Sequence, residues 1–416
     1  MMLRFPASLR HRRFRLLWAG LAISLAGSQM QVWALLWHIR ELTNQPIALG
    51  GIGLARILPI LVFSLVGGAL ADTVNRRNVL FITQSVMALT ALALAWLTLQ
   101  DRIALWQIYL LTAVQAVAIA FDLPARQALV PNLVPPEDLP NAFSMQSIAF
   151  QTGSIVGPAL SGLVIAYGGL SYTYLINAVS FGAVLVALAL IGPVAQQVQA
   201  GVQARVNLDS IAEGVRFILT QPIIWSTMIL DFFATFFSSA NTLMPIFARD
   251  VLHVGAVEYG WLSAAQSIGA MIAALVISQV EAIRRQGPIF LISVVGFGLA
   301  TIAFGLSRTV PFAMLALMLV GASDSVSTII RNTIRQLQTP DYIRGRMTSV
   351  NQVFFMGGPQ LGEVEAGLVA QLFGAPFAVV SGGIGCILAV LWTVRRWPQL
   401  RAYNGDEPIR AGATAD

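Results

Sequence analysis

The chain has 416 residues, 56% hydrophobic and only 11% charged, with a mean hydropathy of +0.74 and a formal net charge of +6. Soluble domains carry about 25% charged residues, so this composition excludes a soluble globular protein and points to a chain that crosses a membrane repeatedly. All 25 basic residues are arginine, which removes any phosphate-binding loop of the G-x-x-x-x-G-K-[ST] type, and the single cysteine, Cys386, excludes an intrachain disulfide.

The basic start, MMLRFPASLRHRRFR, leads into an apolar run that reaches Ile39, too long for the apolar region of a signal peptide. Runs of about 20 apolar residues, the length that crosses a hydrocarbon core, can be placed twelve times. They fall at 15–40, 49–71, 78–99, 104–123, 142–168, 171–192, 222–247, 257–280, 287–306, 310–334, 346–373 and 375–395. With the N-terminus inside, 20 of the 25 arginines lie on the cytoplasmic side, four lie outside and one, Arg56, lies within a span. That bias places both termini in the cytoplasm. It also accounts for the high pI without a nucleic-acid partner. No Asn-x-Ser/Thr acceptor occurs, in keeping with a bacterial plasma (inner) membrane.

Between the second and third runs lies Gly67 to Val79, GGALADTVNRRNV. A connection this short forces two spans into an antiparallel hairpin. This stretch resembles the loop between the second and third helices of the major facilitator superfamily, roughly G-x-L-A-D-x-x-G-R-R/K. Gly68, Leu70, Ala71, Asp72, Arg76 and Arg77 match, with Asn75 at the usual glycine and Thr73 at the usual basic residue. Asn tolerates the left-handed backbone that a tight turn needs. The resemblance implies that Asp72 meets the N-terminus of the eleventh span, near Asp341 to Arg346.

Arg56 stands in the second span, three residues before Pro59. It binds an anionic group, neutralises a buried acid, or snorkels to the outer interface. Asp122 and Arg126 are four apart, and Asp324 and Arg331 seven apart, so each pair can share a helix face at the inner end of its span. With Asp72, Arg76 and Arg77 they are expected to act as gate latches. In the fifth span, GSIVGPALSG resembles the superfamily's antiporter motif, with Ser161 where its closing glycine pair begins. Gly157 and Pro158 are then expected to bend a helix that seals the half-channel in an exporter. The plainer reading is close helix packing.

The longest break between spans, Pro193 to Gln221, ends in NLDSIAEGVRFILTQ, whose spacing predicts a helix along the cytoplasmic interface. It separates an N-terminal six-helix bundle (1–192) from a C-terminal one (222–395), with a linker at 193–221 and a cytoplasmic tail at 396–416. The halves echo one another. Gly157-Pro158 in the fifth span aligns with Gly358-Pro359 in the eleventh, and Asp72, Arg76 and Arg77 return as Glu281, Arg284 and Arg285. Two parallel repeats enclosing a site are a transporter plan. The expected fold is therefore an all-α membrane protein with twelve transmembrane helices in two pseudo-symmetric six-helix bundles, the major facilitator fold.

Carboxylates inside spans cost about 2.5–3.5 kcal/mol each on insertion scales, so each invites a reason. Asp231, Asp324, Glu363 and Glu365 are such acids, all in the second half. Glu363 and Glu365 lie about 200° apart around a helix and cannot both face one cavity. Asp231 precedes a phenylalanine wall, Phe232, Phe233, Phe236 and Phe237, a low-dielectric setting suited to proton exchange. Either these acids couple protons to the passage of a cationic or polar substrate, or each is paired with arginine or a backbone donor and holds helices together. Expected pocket walls are Gln29, Met30, Trp33, Trp37, Arg56, Gln115, Gln146, Gln151, Phe236, Asn241 and Gln266. Met and aromatic groups accept varied apolar shapes and amides orient them. His38, near the outer end of the first span, is a weaker proton-relay candidate.

PARQALVP, GPALSG and GGPQLGEVEAG are most similar to the branch of the superfamily that holds enterobactin exporters and macrolide-efflux proteins. The resemblance implies a secondary exporter of amphipathic small molecules such as drugs or siderophores, coupled to protons, working by alternating access. The expected partners are that substrate, protons and the bilayer, with a monomeric chain, no cofactor and no metal. A lipid or lysolipid translocator is the first alternative. A membrane-embedded enzyme or a sensor is the second, against which no HExxH, no paired His and Cys ligands and no soluble signalling domain stand out.

Overall fold

The computed structural model describes residues 6–194, 208–238, 240–280 and 283–405, which are all-α with no strand among them. The helices are α1 (Arg12–Leu42), α2 (Pro46–Thr73), α3 (Arg76–Leu99), α4 (Leu105–Leu129), α5 (Leu139–Tyr167), α6 (Leu170–Ile191), α7 (Leu208–Thr220) and α8 (Pro222–Phe237). They continue as α9 (Met244–Ile246), α10 (Ala256–Ile277), α11 (Gln286–Leu306), α12 (Val310–Leu337), α13 (Asp341–Phe373), α14 (Ala375–Arg396) and α15 (Pro398–Ala402).

Eleven helical segments among the described residues are long and apolar enough to cross a membrane. The twelfth expected span is α13, whose 33 residues suffice in length but whose charges, Asp341, Arg344, Arg346, Glu363 and Glu365, lower its hydropathy. The seventh span departs from a single helix over 222–247. It stops at Ser238, turns through a 3-10 segment at Ala240–Leu243, and resumes in α9 and a π-helical turn at Phe247–Val251. Pro245 cannot donate to the carbonyl one turn back. Asn75 also differs from expectation. It adopts extended backbone (φ −60°, ψ 108°), and its side chain accepts from the N–H groups of Arg77 and Asn78. It caps α3, meeting donors that a helix start leaves open.

Two compact units are present. The first comprises Met1–Asn44, Ala55–Val206 and Gly255–Ala264. Its core gathers Phe14, Leu17 and Leu21 of α1 with Val79, Leu80, Ala125, Leu129, Val184 and Leu188. Apolar faces of α1, α3, α4 and α6 thus meet along shared stripes, with exposed Leu and Val on the outside where lipid is the solvent.

The second unit comprises Gln45–Leu54, Asn207–Val254 and Ala265–Asp416. Leu230, Phe290, Val294, Ile330, Ile334, Cys386 and Val390 form its core, joined by Leu400 and Tyr403 from beyond the last span. Tyr403 is 1% exposed. Its carbonyl accepts from the Gly287 N–H at 2.9 Å and its hydroxyl accepts from Gln338 Nε2 at 3.2 Å. Amphipathic α7 docks on the start of α13, where Glu213 pairs with Arg346 and Gly214 lies against the Arg346 backbone. Ile218 of α7 enters a small core with Met228, Met347 and Val350.

Candidate functional site

In the first unit, α5 mounts on α1 through its glycines. A Cβ on Gly157 would lie 2.6 Å from Gln29 Cβ and 2.7 Å from the Ala26 carbonyl. Such contact lets helices approach to backbone distance. α5 continues through Pro158 without ending. The second unit repeats the device. Gly358 of α13 sits on Phe232 and Thr235 of α8, where a Cβ would stand 3.2 Å from the Phe232 carbonyl and collide with Thr235 Oγ1. The aligned motifs thus do the same packing job in each unit.

Three polar nets stand out among the described residues of the first unit. Asp122, 1% exposed, accepts from Thr83 Oγ1 at 3.0 Å, from Gln84 Nε2 at 2.7 Å and from the Arg126 guanidinium. Asp122 and Arg126 are therefore paired on α4 and anchored to α3. Nearer the middle of α1, Asn177 donates to Gln31 at 2.6 Å and Gln31 donates to Gln115 at 2.8 Å. The third net holds Trp33 and Trp37, which pack on Tyr259. Tyr259 donates to the Trp33 carbonyl at 2.8 Å and Trp37 donates to Glu41 at 2.8 Å. His38 and Tyr174, both buried, lie 2.9 Å apart beside them.

The remaining first-unit candidates are distributed. Gln29 reaches Ser154 at 3.4 Å, and Met30 is buried at 2% exposure. Gln146, Gln151 and Arg56 are partly exposed. Arg76 donates to the Ala128 carbonyl at 3.0 Å and to Asn132 at 2.8 Å, while Arg77 donates to the Leu188 carbonyl at 2.8 Å and covers the Phe81 ring. Both arginines thus tie α3 to neighbouring helix ends. The side chain of Asp72 lies outside the described residues.

The second unit contains the acids. Asp231 of α8 is ion-paired with Arg331 of α12, and Arg331 also donates to Thr328 at 3.2 Å. Arg331 therefore takes its carboxylate from another helix and not from Asp324 on its own. Asp324 and Glu365 are partly exposed and make no hydrogen bond or ion pair among the described residues. Glu363 is partly buried against the first turns of α2, its Oε2 lying 3.1 Å from where a Cβ on Gly53 would stand. Phe236 stacks on Phe232, while Asn241, in the break of the seventh span, and Gln266 are partly exposed.

Gln31, Asn177, Tyr174, Tyr259 and Arg335 were not singled out from the sequence. The first four are polar groups inside apolar runs, a signal that would have found them, whereas Arg335 lies just past the run at 310–334. No group of three or more His, Cys, Asp or Glu residues that could hold a metal occurs among the described residues.

Residues 5–408 match the family described as transmembrane secretion effector. The chain is 29% identical over 352 residues to the enterobactin exporter EntS of Citrobacter koseri, covering 84% of this chain and 83% of that one. It is 28% identical over 348 residues to EntS of Salmonella choleraesuis, covering 83% and 82%. Among solved structures it resembles a bacterial homologue of the iron transporter ferroportin in the inward-facing state, with a TM-score of 0.69, 17% identity, and 92% and 98% of the two chains covered. A POT family transporter in complex with 5-aminolevulinic acid gives a TM-score of 0.70 at 12% identity, covering 92% and 96%. The matched residues and the all-helical architecture agree: the chain belongs to the transmembrane secretion effector family of major facilitator transporters.

Proposed function

We propose that the protein is a proton-coupled exporter of amphipathic small molecules across the bacterial inner membrane, with both termini cytoplasmic. The relatives' names as exporters support the direction of transport and a siderophore-like cargo. The single observation that carries the coupling is that Asp324 and Glu365, two carboxylates inside membrane spans, are partly exposed and lack a hydrogen-bonding or ionic partner among the described residues. A carboxylate placed in a span and left unpaired is costly, and proton exchange is the function that repays it. Asp231, held by Arg331, serves instead as the joint between α8 and α12. Glu363, packed against α2, takes part through its contact with that helix.

In this reading the two six-helix halves alternate between inward-open and outward-open forms, and protons entering from outside drive cargo release there. Asp122 with Arg126, Arg76 and Arg77 then brace the inner ends of the first half. The test is efflux from proteoliposomes under an imposed pH gradient. Asp324→Asn and Glu365→Gln are each expected to abolish gradient-driven transport while thermal unfolding stays within a few degrees of the parent. Full gradient-driven transport in the double variant would remove both acids from the mechanism. Movement of labelled lipid in place of soluble cargo would make the protein a lipid translocator.

A further inference from the structure

Arg331 and Arg335 lie one turn apart on one face of α12, and both are sunk in the second unit, 2% and 5% exposed. Arg331 bonds to Asp231 and Thr328, whereas Arg335 bonds only to Asn332 among the described residues. Nε of Arg331 and Nη1 of Arg335 are buried with no hydrogen-bond partner among those residues. Asp324 is on the same helix, but stands about 10 Å from Arg331 along its axis at 1.5 Å per residue, and pairs with neither arginine. Of the two buried guanidiniums, only Arg331 therefore meets a carboxylate among the described residues.

A guanidinium never loses its charge in a protein, so removing it from water with an N–H unmet leaves desolvation uncompensated. Its planar fork of donors matches the two oxygens of a carboxylate or the edge of a phosphate. Access is short. Arg335 is two residues from the end of α12, and Asn332, which accepts from its Nη2, is exposed. We infer that Arg335, backed by Arg331, is a receptor for an oxyanion, and that the oxyanion belongs to the exported molecule. The cargo is then an organic anion. This rests on the exporter reading and narrows it.

The experiment uses the full chain in neutral detergent and measures calorimetric binding of 2-naphthoate, 2-naphthamide, inorganic phosphate and phosphatidylglycerol. Naphthoate is expected to bind at least about ten-fold more tightly than the amide, as a charge-assisted contact should. Arg335→Gln is expected to remove that preference and leave amide binding unchanged, with Arg335→Lys retaining part of it. Asn332→Ala, which frees Arg335 without removing charge, is expected to strengthen naphthoate binding. That variant keeps the test valid should Arg335→Gln fail to fold. Equal naphthoate binding in the parent and Arg335→Gln would overturn the site. Binding of phosphate alone would make it a free-anion site, and binding of phosphatidylglycerol alone a lipid headgroup site; either result removes the cargo assignment. Proteoliposome efflux separates the two readings. Parent protein that binds naphthoate yet exports nothing keeps the site and sinks the exporter. Export of naphthoate by Arg335→Gln at the parent's rate keeps the exporter and sinks the site.

Discussion

Asp231 and Arg331, one hundred positions apart in the chain, form an ion pair whose side chains are 6% and 2% exposed. The pair joins α8, the helix that stops short at Ser238, to the end of α12. Removing one partner of a buried pair strands a charge, at a cost of about 3–5 kcal/mol, whereas replacing both with apolar groups is often neutral. Asp231→Asn and Arg331→Gln are each expected to lower the unfolding midpoint in detergent sharply. Asp231→Leu combined with Arg331→Met is expected to recover most of the loss. Equal losses in single and double variants would show that packing, not charge, is what the pair supplies.

Asp122 offers a graded series, because it accepts from Thr83, Gln84 and Arg126 at once. Deleting one neutral donor, as in Thr83→Val, is expected to cost about 1 kcal/mol. Asp122→Asn is expected to cost at least twice as much, because it strips Arg126 of its only carboxylate among the described residues and leaves a part-buried cation. Chemical denaturation of the two variants side by side checks the order.

Helix contact at Gly260 admits no side chain. A Cβ there would stand 2.7 Å from the Pro158 carbonyl and 2.9 Å from Gly162 Cα, both backbone atoms of α5. Gly260→Leu is expected to force α10 and α5 apart and to destabilise by about 1–3 kcal/mol, the usual cost of overpacking. Gly182, with open space around it, is the matched control, and Gly182→Leu is expected to change the unfolding midpoint little.

The linker helix separates charge from shape. Glu213 and Arg346 are both exposed, so Glu213→Gln is expected to shift stability by less than about 1 kcal/mol, and less still in high salt. Gly214 touches the Arg346 backbone, with a Cβ 3.2 Å from its carbonyl. Gly214→Leu is expected to lift α7 from α13 and to expose the linker to limited proteolysis. Protection equal to the parent would show that α7 does not depend on that contact.

Spans, hairpins and the paired glycine motifs were legible in the sequence, because hydropathy and small-residue spacing are local signals. The all-helical architecture followed from them, and the apolar run at 346–373 marks α13 despite its charges. What escaped was set by contacts between distant positions. Asp231 and Arg331 carry no mark of one another in the sequence, and the closer Asp324 is the tempting partner. Asn75 suggested a left-handed turn, but its side chain found two backbone donors and made a cap. The seventh span reads as one apolar run over 222–247, and its break before Pro245 is not a hydropathy signal. Gln31 and Asn177 look like isolated amides until α1, α4 and α6 bring them into line with Gln115.

Tyr403 has a consequence for how the polypeptide matures. Gly287 and Gln338 are made before the tyrosine that accepts from both of them. The second unit gains these two contacts, and the burial of Tyr403 in its core, only once this late-made segment has been synthesised.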